Sequence, residues 1–411
     1  MQDIKINTER LWQSIMKMGE IGGTELGGCC RLALTELDKQ ARDLFIDWCT
    51  AAGCSIEIDK MGNIFATRSG SDSALGAIST GSHLDTQPCG GKFDGIYGCL
   101  AGLEVIRTLN EHNIETKRPV EVSVWTNEEG SRFAPAMISS GVYSGKFDLE
   151  WAWHQCDSDG VSLLEALKGI DYLGESEVGN RAIHQFYELH IEQGPVLERE
   201  QLQIGVVTGV LGMRWYDVNI SGNSAHAGPT PMDYRQDALY AQSKMYSQIF
   251  ELALADGVGD ARCTAGEIAI EKASRNVVAG GVNSTLDLRH SQQASLDQLE
   301  TDARAIINDV ENLTKTQIEI NKIWDSPPLA FDKNCVNAVE QVVAKSGLSY
   351  KKMVSGAGHD AVNIASVTPT AMIFIPSIGG ISHNEKEYSS PEQLSAGCQV
   401  LFEVMRAQAS V

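Results

Sequence analysis

The stretch 77–126 constrains this chain more than any other. It opens with a strand-like apolar run at 77–80, and "IYGCLAGLEVIRTLNEH" follows with Leu100, Leu103, Val105, Ile106 and Leu109 at helical spacing. A second strand-like run then occupies 120–126. Strand, helix and strand of these lengths require a crossover, which makes the two strands parallel and the architecture α/β. In such sheets ligands gather beyond the carboxyl ends of the strands. His83 and the 126–130 segment both stand at that position. Upstream, 55–58 and 63–67 read as a hairpin around Lys60-Met61-Gly62.

From Tyr216 to about Ile323 the pattern changes. "YDVNISGNSAHAG" alternates, a helical run follows at 237–254, "NSTLDLRH" alternates again, and a second helical run reaches Asn312. Two such repeats predict a small α+β insertion with an antiparallel sheet. At 411 residues the chain exceeds one ordinary core, in keeping with two domains. The expected division is a discontinuous α/β catalytic domain, 1–211 with 328–411, and an inserted lid, 212–327. Segments 205–212 and 326–328 read as its hinges.

Charge narrows the partners. Lys and Arg number 33 against 54 Asp and Glu, a formal charge of −21, which argues against nucleic acid. A small anionic substrate stays open, because local arginines or metal ions reverse the sign inside one pocket. The N-terminal stretch has no secretory pattern and no apolar run approaches membrane-spanning length. Ten scattered cysteines without a C-x-x-C pair suit a reduced, cytoplasmic protein.

The chemistry lies in the histidines and their neighbours. His112 and His154 read as surface residues, His184 and His290 as structural ones. His83 in "SHLD", His190 in "ELHIEQG", His226 in "NSAHAGPTP" and His383 in "GGISHNE" stand in small-residue, acid-flanked contexts. Glu128-Glu129 follows a buried strand, where like-charge repulsion calls for a cation. His83, Asp94, Glu129, His190 and His383 together mix imidazole and carboxylate without thiolate, which suits catalytic Zn²⁺ or Mn²⁺. Asp94 on its glycine loop is placed to bridge two ions, and Asp85 to accept the other ring N–H of His83. "GAGHDA", with Gly358 inside it, reads as a source of backbone N–H donors for a substrate anion.

"GSHLDTQPCGGKFDG", "TNEEGSRF", "ELHIEQGPVLE", "SAHAGPTPM", "SGAGHDA" and "IPSIGGISHNE" together resemble the amidase branch of the M20 metallopeptidases. That branch holds N-carbamoyl-L-amino-acid hydrolases, β-ureidopropionases and allantoate amidohydrolases. The resemblance implies two divalent ions per chain (Zn²⁺ or Mn²⁺, with Co²⁺ or Ni²⁺ as alternatives) and a homodimer formed through the lid. It also implies that Glu128 is the general base and that His226 reaches the partner subunit's site. Gln193, Asn276 and Arg289 match positions that hold the substrate's amide and carboxylate. Ala279 stands where the family usually has proline, and Pro229 where allantoate-type members usually have threonine. The expected reaction is hydrolysis of the ureido bond of an N-carbamoyl amino acid. The alternatives are an allantoate- or ureidoglycolate-type hydrolase, a dipeptidase, or a binding protein without catalysis.

Overall fold

The computed structural model describes residues 4–257 and 259–411. Contacts within the chain divide it into two compact units, 1–208 with 331–411, and 209–330.

The first unit is built on a mixed sheet. Its strands lie in the order Ser55–Ile58, Ile64–Arg68, Val120–Trp125, Ala77–His83, Ile183–Ile191, Thr370–Ile375 and Ile204–Val210, with Tyr350–Ser355 beside the last. The central strands Val120–Trp125, Ala77–His83, Ile183–Ile191 and Thr370–Ile375 run parallel. Both flanks are antiparallel, Ile64–Arg68 on one side and Ile204–Val210 on the other. The parallel strands Ala77–His83, Val120–Trp125 and Thr370–Ile375 are buried on both faces, although only Thr370–Ile375 reads as a near-continuous apolar run. Helix Ile96–Glu111 makes the crossover from Ala77–His83 to Val120–Trp125, as 77–126 requires. It packs with Thr8–Glu20 and Pro391–Ala409 into one helical layer.

The second unit carries an antiparallel sheet in the order Ile268–Ile270, Gly281–His290, Gly212–Ser221 and Gln317–Ser326, with Arg262–Thr264 also on Gly281–His290. Helices Ala238–Leu254 and Gln293–Thr314 pack against it, and alternate residues Tyr216, Val218 and Ile220 point into the core with Met245, Leu286, Leu288 and Ile307. Asp237 caps the first helix by accepting from Leu239 N and Tyr240 N at 3.0 and 3.1 Å.

The 205–212 segment, read as a hinge, holds the boundary between the two units at 208/209. It is strand Ile204–Val210 followed at once by Gly212–Ser221, because Val206 and Val207 are buried and pair with the Thr370–Ile375 strand. The chain therefore passes between units inside a strand. Among the described residues, no helix is long and apolar enough to cross a membrane.

Candidate metal centre

Parallel strands end together, and that is where the site lies. His83 is the last residue of its strand and pairs in register with Trp125, the last of the next. His190 stands one residue before the end of Ile183–Ile191, opposite Phe374. The turn with Glu128 and Glu129 and the loop with His383 follow the carboxyl ends of two further parallel strands. Left-handed residues make these turns: Asn127 at φ 58°, Gln193 at 58° and His383 at 53°. Such backbone is costly for non-glycine residues and gathers where a site must be shaped.

Loop 84–95 brings Asp94 back to this edge. Its Oδ1 lies 3.6 Å from His83 Nε2 and 3.1 Å from His190 Nε2. Its Oδ2 lies 3.5 Å from His383 Nε2, which is 3.4 Å from Glu129 Oε2. Two donor groups, His83–Asp94–His190 and Asp94–Glu129–His383, thus share one carboxylate. His83, Asp94 and His190 are buried, whereas the His383 side chain is 52 % exposed and gives the centre a solvent-facing side.

Whether divalent ions fit can be tested on the histidine tautomers. His83 Nδ1 lies 2.8 Å from the Asp85 carbonyl and His190 Nδ1 lies 2.9 Å from the Ile191 carbonyl. A carbonyl only accepts, so both Nδ1 atoms carry protons and both Nε2 lone pairs face carboxylate oxygens. Lone pair against lone pair is repulsive until a proton or a cation lies between them. Nitrogen and oxygen donors without sulfur fit Zn²⁺ or Mn²⁺.

The electrostatics carry the same strain. Burial opposes ionisation of Asp94, yet hydrogen bonding to His190 and His83 holds its carboxyl well below the ordinary range. Burial pushes Glu128 well above that range against the pull of His83, whose Nε2 is 3.5 Å from Glu128 Oε2. Burial, then the Asp94 charge, pushes Glu129 up to about 8.

Asp85 needs a correction. Its carboxylate was expected on the His83 ring, but its backbone carbonyl takes that role. The chain is fixed at this point by Thr86 N donating to Arg31 O at 2.9 Å and Arg31 Nε donating to Leu84 O at 2.8 Å. So oriented, the Asp85 carboxylate accepts from Glu128 N at 3.3 Å and Glu129 N at 3.2 Å. It shapes the Glu128–Glu129 turn instead of the imidazole.

The sequence profile of peptidase family M20/M25/M40 matches residues 80–407. The chain belongs to this family. It is 44 % identical over 407 residues to an N-carbamoyl-L-amino-acid amidohydrolase of Rhizobium meliloti, covering 99 % of this chain and 98 % of that one. It is 35 % identical to an allantoate amidohydrolase of Bacillus subtilis, with 94 % of each covered. The crystal structure of an amidase of the hydantoinase/carbamoylase family from Burkholderia multivorans superposes with a TM-score of 0.98 at 46 % identity, covering 99 % of both chains.

The remaining candidates in this M20 member are placed as follows. Gln193 Nε2 donates to Asp94 Oδ2 at 2.8 Å and to Ser382 Oγ at 3.2 Å, and its buried Oε1 has no partner among the described residues. Gly358 packs against Met137, where a Cβ would come within 2.9 Å of the methionine methyl. In the inserted unit, His226 and Val277 pair across a two-stranded ribbon, and Ala227 N donates to Asn276 O at 2.9 Å. His226 is exposed, and its Nδ1 accepts from Gly228 N at 3.1 Å, which leaves Nε2 as the ring's N–H donor. Arg289 is paired with Asp287 on its own strand at 2.7 Å.

Two side chains escaped the sequence reading. His359 is buried, with its ring centroid 4.5 Å from that of His190. "GAGHDA" was read for its glycines alone, although a histidine beside an aspartate was visible in it. Glu387, four residues after His383, is also buried. Its Oε1 accepts from Phe93 N at 3.1 Å and Asp94 N at 3.0 Å, and its Oε2 lies 3.0 Å from Ser382 Oγ. It ties the loop of Asp94 to the loop of His383.

Proposed function

We propose that this chain hydrolyses the ureido C–N bond of N-carbamoyl-L-amino acids with two divalent cations, Zn²⁺ or Mn²⁺. The observation that carries the reading is the pair of donor groups sharing Asp94, with Glu128 beside them. His83, Asp94 and His190 would hold one ion, and Asp94, Glu129 and His383 the other. When bound, the ions supply positive charge that polarises the ureido carbonyl and makes water a nucleophile near neutral pH.

The chain's own groups do the rest. Glu128 takes a proton from the attacking water at a carboxylate oxygen and returns it to the leaving nitrogen; its burial favours the protonated form this needs. His226 would offer Nε2–H to the developing oxyanion in the partner subunit's site, as the resemblance implies. The Arg289 guanidinium, a planar fork, suits the substrate carboxylate, with Asn276, Gln193 Oε1 and the Gly358 backbone on its amide groups. The carbamate formed breaks down to give amino acid, ammonia and carbon dioxide.

Dimerisation through the inserted unit belongs to the same reading. Exposed Met232, Tyr234, Leu254 and Leu313 support it, and light scattering would test it. The free state of all ten cysteines supports a cytoplasmic location. The likeness to an allantoate amidohydrolase keeps allantoate as the second reading. Purified protein reconstituted with Zn²⁺ or Mn²⁺ should turn over N-carbamoyl-L-methionine with at least about tenfold higher kcat/KM than allantoate, N-carbamoyl-β-alanine or a dipeptide. Preference for allantoate would replace the proposal with the second reading.

A further inference from the structure

The sheet of the inserted unit has one face covered by helices and one open. Tyr216, Val218, Ile220, Leu286 and Leu288 point into the core under the helices. Alternation therefore turns Trp215 and Asp217 on one strand, and Asp287 and Arg289 on its neighbour, to the open face. The register fixes how they meet. Arg289 pairs with Met213 and Asp287 with Trp215 across strands Gly281–His290 and Gly212–Ser221. On the other side of Gly212–Ser221, Lys322 pairs with Tyr216 and Trp324 with Trp215, so Ile323 is a bulge between them. A bulge re-aims the side chain that follows it, and here it sets Trp324 in place of Ile323 opposite Trp215. The two rings meet, with centroids 6.1 Å apart and planes at 35°.

Trp215 is thus the diagonal neighbour of Arg289 in the ladder. Such positions lie about 7–8 Å apart, a gap that long and aromatic side chains bridge. Arg289 Nε and Nη2 both donate to Asp287 Oδ2, at 2.9 and 2.7 Å, and this hold fixes the plane of the guanidinium. A fixed cation and a pair of indoles therefore stand about one amino acid's length from each other. Trp215 is 41 % exposed and Trp324 39 %, while Asp217, Asn219 and Asn283 make the rest of the face polar. Two large rings left half in water on a polar face hold apolar area that a bound side chain would remove from water.

We propose that Trp215 and Trp324 form the subsite for the substrate's side chain, and that it selects N-carbamoyl-L-amino acids with large apolar or aromatic side chains. The inference rests on the proposed function, in which Arg289 takes the substrate carboxylate. With the carboxylate on that guanidinium, a side chain on the adjacent α-carbon is within reach of the indole pair. An aromatic ring packs on the indoles offset or edge-on, and a thioether makes a sulfur–ring contact. A methyl group covers little of either ring. Asp217, two residues from Trp215 on the same face, repels an acidic side chain. The selection is therefore by apolar area and by charge together.

The test measures kcat/KM of the reconstituted full-length protein on the N-carbamoyl derivatives of L-phenylalanine, L-alanine and L-aspartate. The unsubstituted protein should favour phenylalanine over alanine by about tenfold or more, with aspartate lowest. In Trp215→Ala and in Trp324→Ala the phenylalanine-to-alanine ratio should fall by about tenfold, whereas Trp215→Phe, which keeps a ring, should retain most of it. The ratio is insensitive to the fraction of folded enzyme, since misfolding lowers both rates alike. A ratio near one in the unsubstituted protein, or a ratio unchanged in both alanine variants, would overturn the proposal. Failure of the underlying reading looks different: none of the three derivatives would be hydrolysed, or Arg289→Lys would leave all three rates as they were, and either result would overturn both.

Discussion

Glu128 and Glu129 are neighbours in the chain with unlike surroundings, and that difference divides their work. Glu129 Oε2 faces His383 and accepts from Gln87, so it belongs to the donor set. Glu128 Oε2 faces His83 from a buried position outside both three-residue donor groups. Glu128→Gln keeps the side chain's size and should leave the cation content unchanged, as measured by elemental analysis. Its kcat should fall on the order of 10²–10⁴-fold, the range expected on losing a general base. A fully active variant would remove the assignment. The sequence drew attention to His83, Asp94, Glu129, His190 and His383 because each stands at a strand end or on a glycine loop beside acidic residues, and the structure brings all five together. What it could not convey is backbone direction. Asp85 was visible at two residues from His83, but spacing alone does not distinguish its carbonyl from its carboxylate. Nor does spacing show that Glu387 reaches the amides of Phe93 and Asp94, almost three hundred residues away in the chain.

Loop 84–95 is the element on which the site depends, and Gly95 is the point where it presses on a donor imidazole. Gly95 sits at φ 69° and opens helix Ile96–Glu111, with its N 3.1 Å from His190 Nε2. A Cβ there would meet the His83 ring at 2.3 Å. Gly95→Ala should therefore combine a left-handed backbone cost of about 1 kcal/mol with displacement of a donor imidazole. Gly145→Ala separates the two effects, because Gly145 has φ 78° with nothing within 4 Å of its Cβ position. Both variants should lose a few degrees of thermal stability, but Gly95→Ala alone should weaken cation retention, by about tenfold or more in competition with a chelator. Equal retention in the two would show that the loop tolerates the shift. The α/β crossover around this loop was legible because its helix carries a clear periodicity between two short apolar runs. Strand Ile183–Ile191 was harder to bound. Its residues are buried on both faces over the second half, which erases the period-two signal. Ile204–Val210 was masked as a strand by its glycines, although Val206 and Val207 in it are buried.

Across the whole molecule, the centre ties stability to protons. Burial disfavours charge on His83 and His190, yet Glu128 and Asp94 around the first and Asp94 beside the second raise the proton affinity of both rings. Burial, reinforced by the Asp94 charge, takes Glu129 up to about 8 and Glu387 up to about 7 from an ordinary value of 4.5. Above pH 6.5, the ordinary histidine value, the unfolded chain has released most of these protons while the metal-free folded chain still holds them. A group whose folded pKa is raised contributes stability below its unfolded value and loses it as pH rises through the folded one. Metal-free protein should therefore lose stability steadily from about pH 6.5 to about pH 8. Asp94, held well below 3.8, stays ionised through this window, and burial keeps His359 neutral above 6.5, so neither reverses the slope. Divalent cations compete for the same lone pairs, so their binding should release protons and replace the stability those protons supplied. Saturating Zn²⁺ or Mn²⁺, at about a hundred times Kd, should add about 2.7 kcal/mol per independent site and flatten the dependence. Scanning calorimetry of chelator-treated and reconstituted protein from pH 6.5 to 8 measures both effects, and calorimetric titration in buffers of different ionisation enthalpy counts the protons. A metal-free melting temperature that climbs over this range would mean that the buried carboxylates and imidazoles are not protonated as the geometry requires.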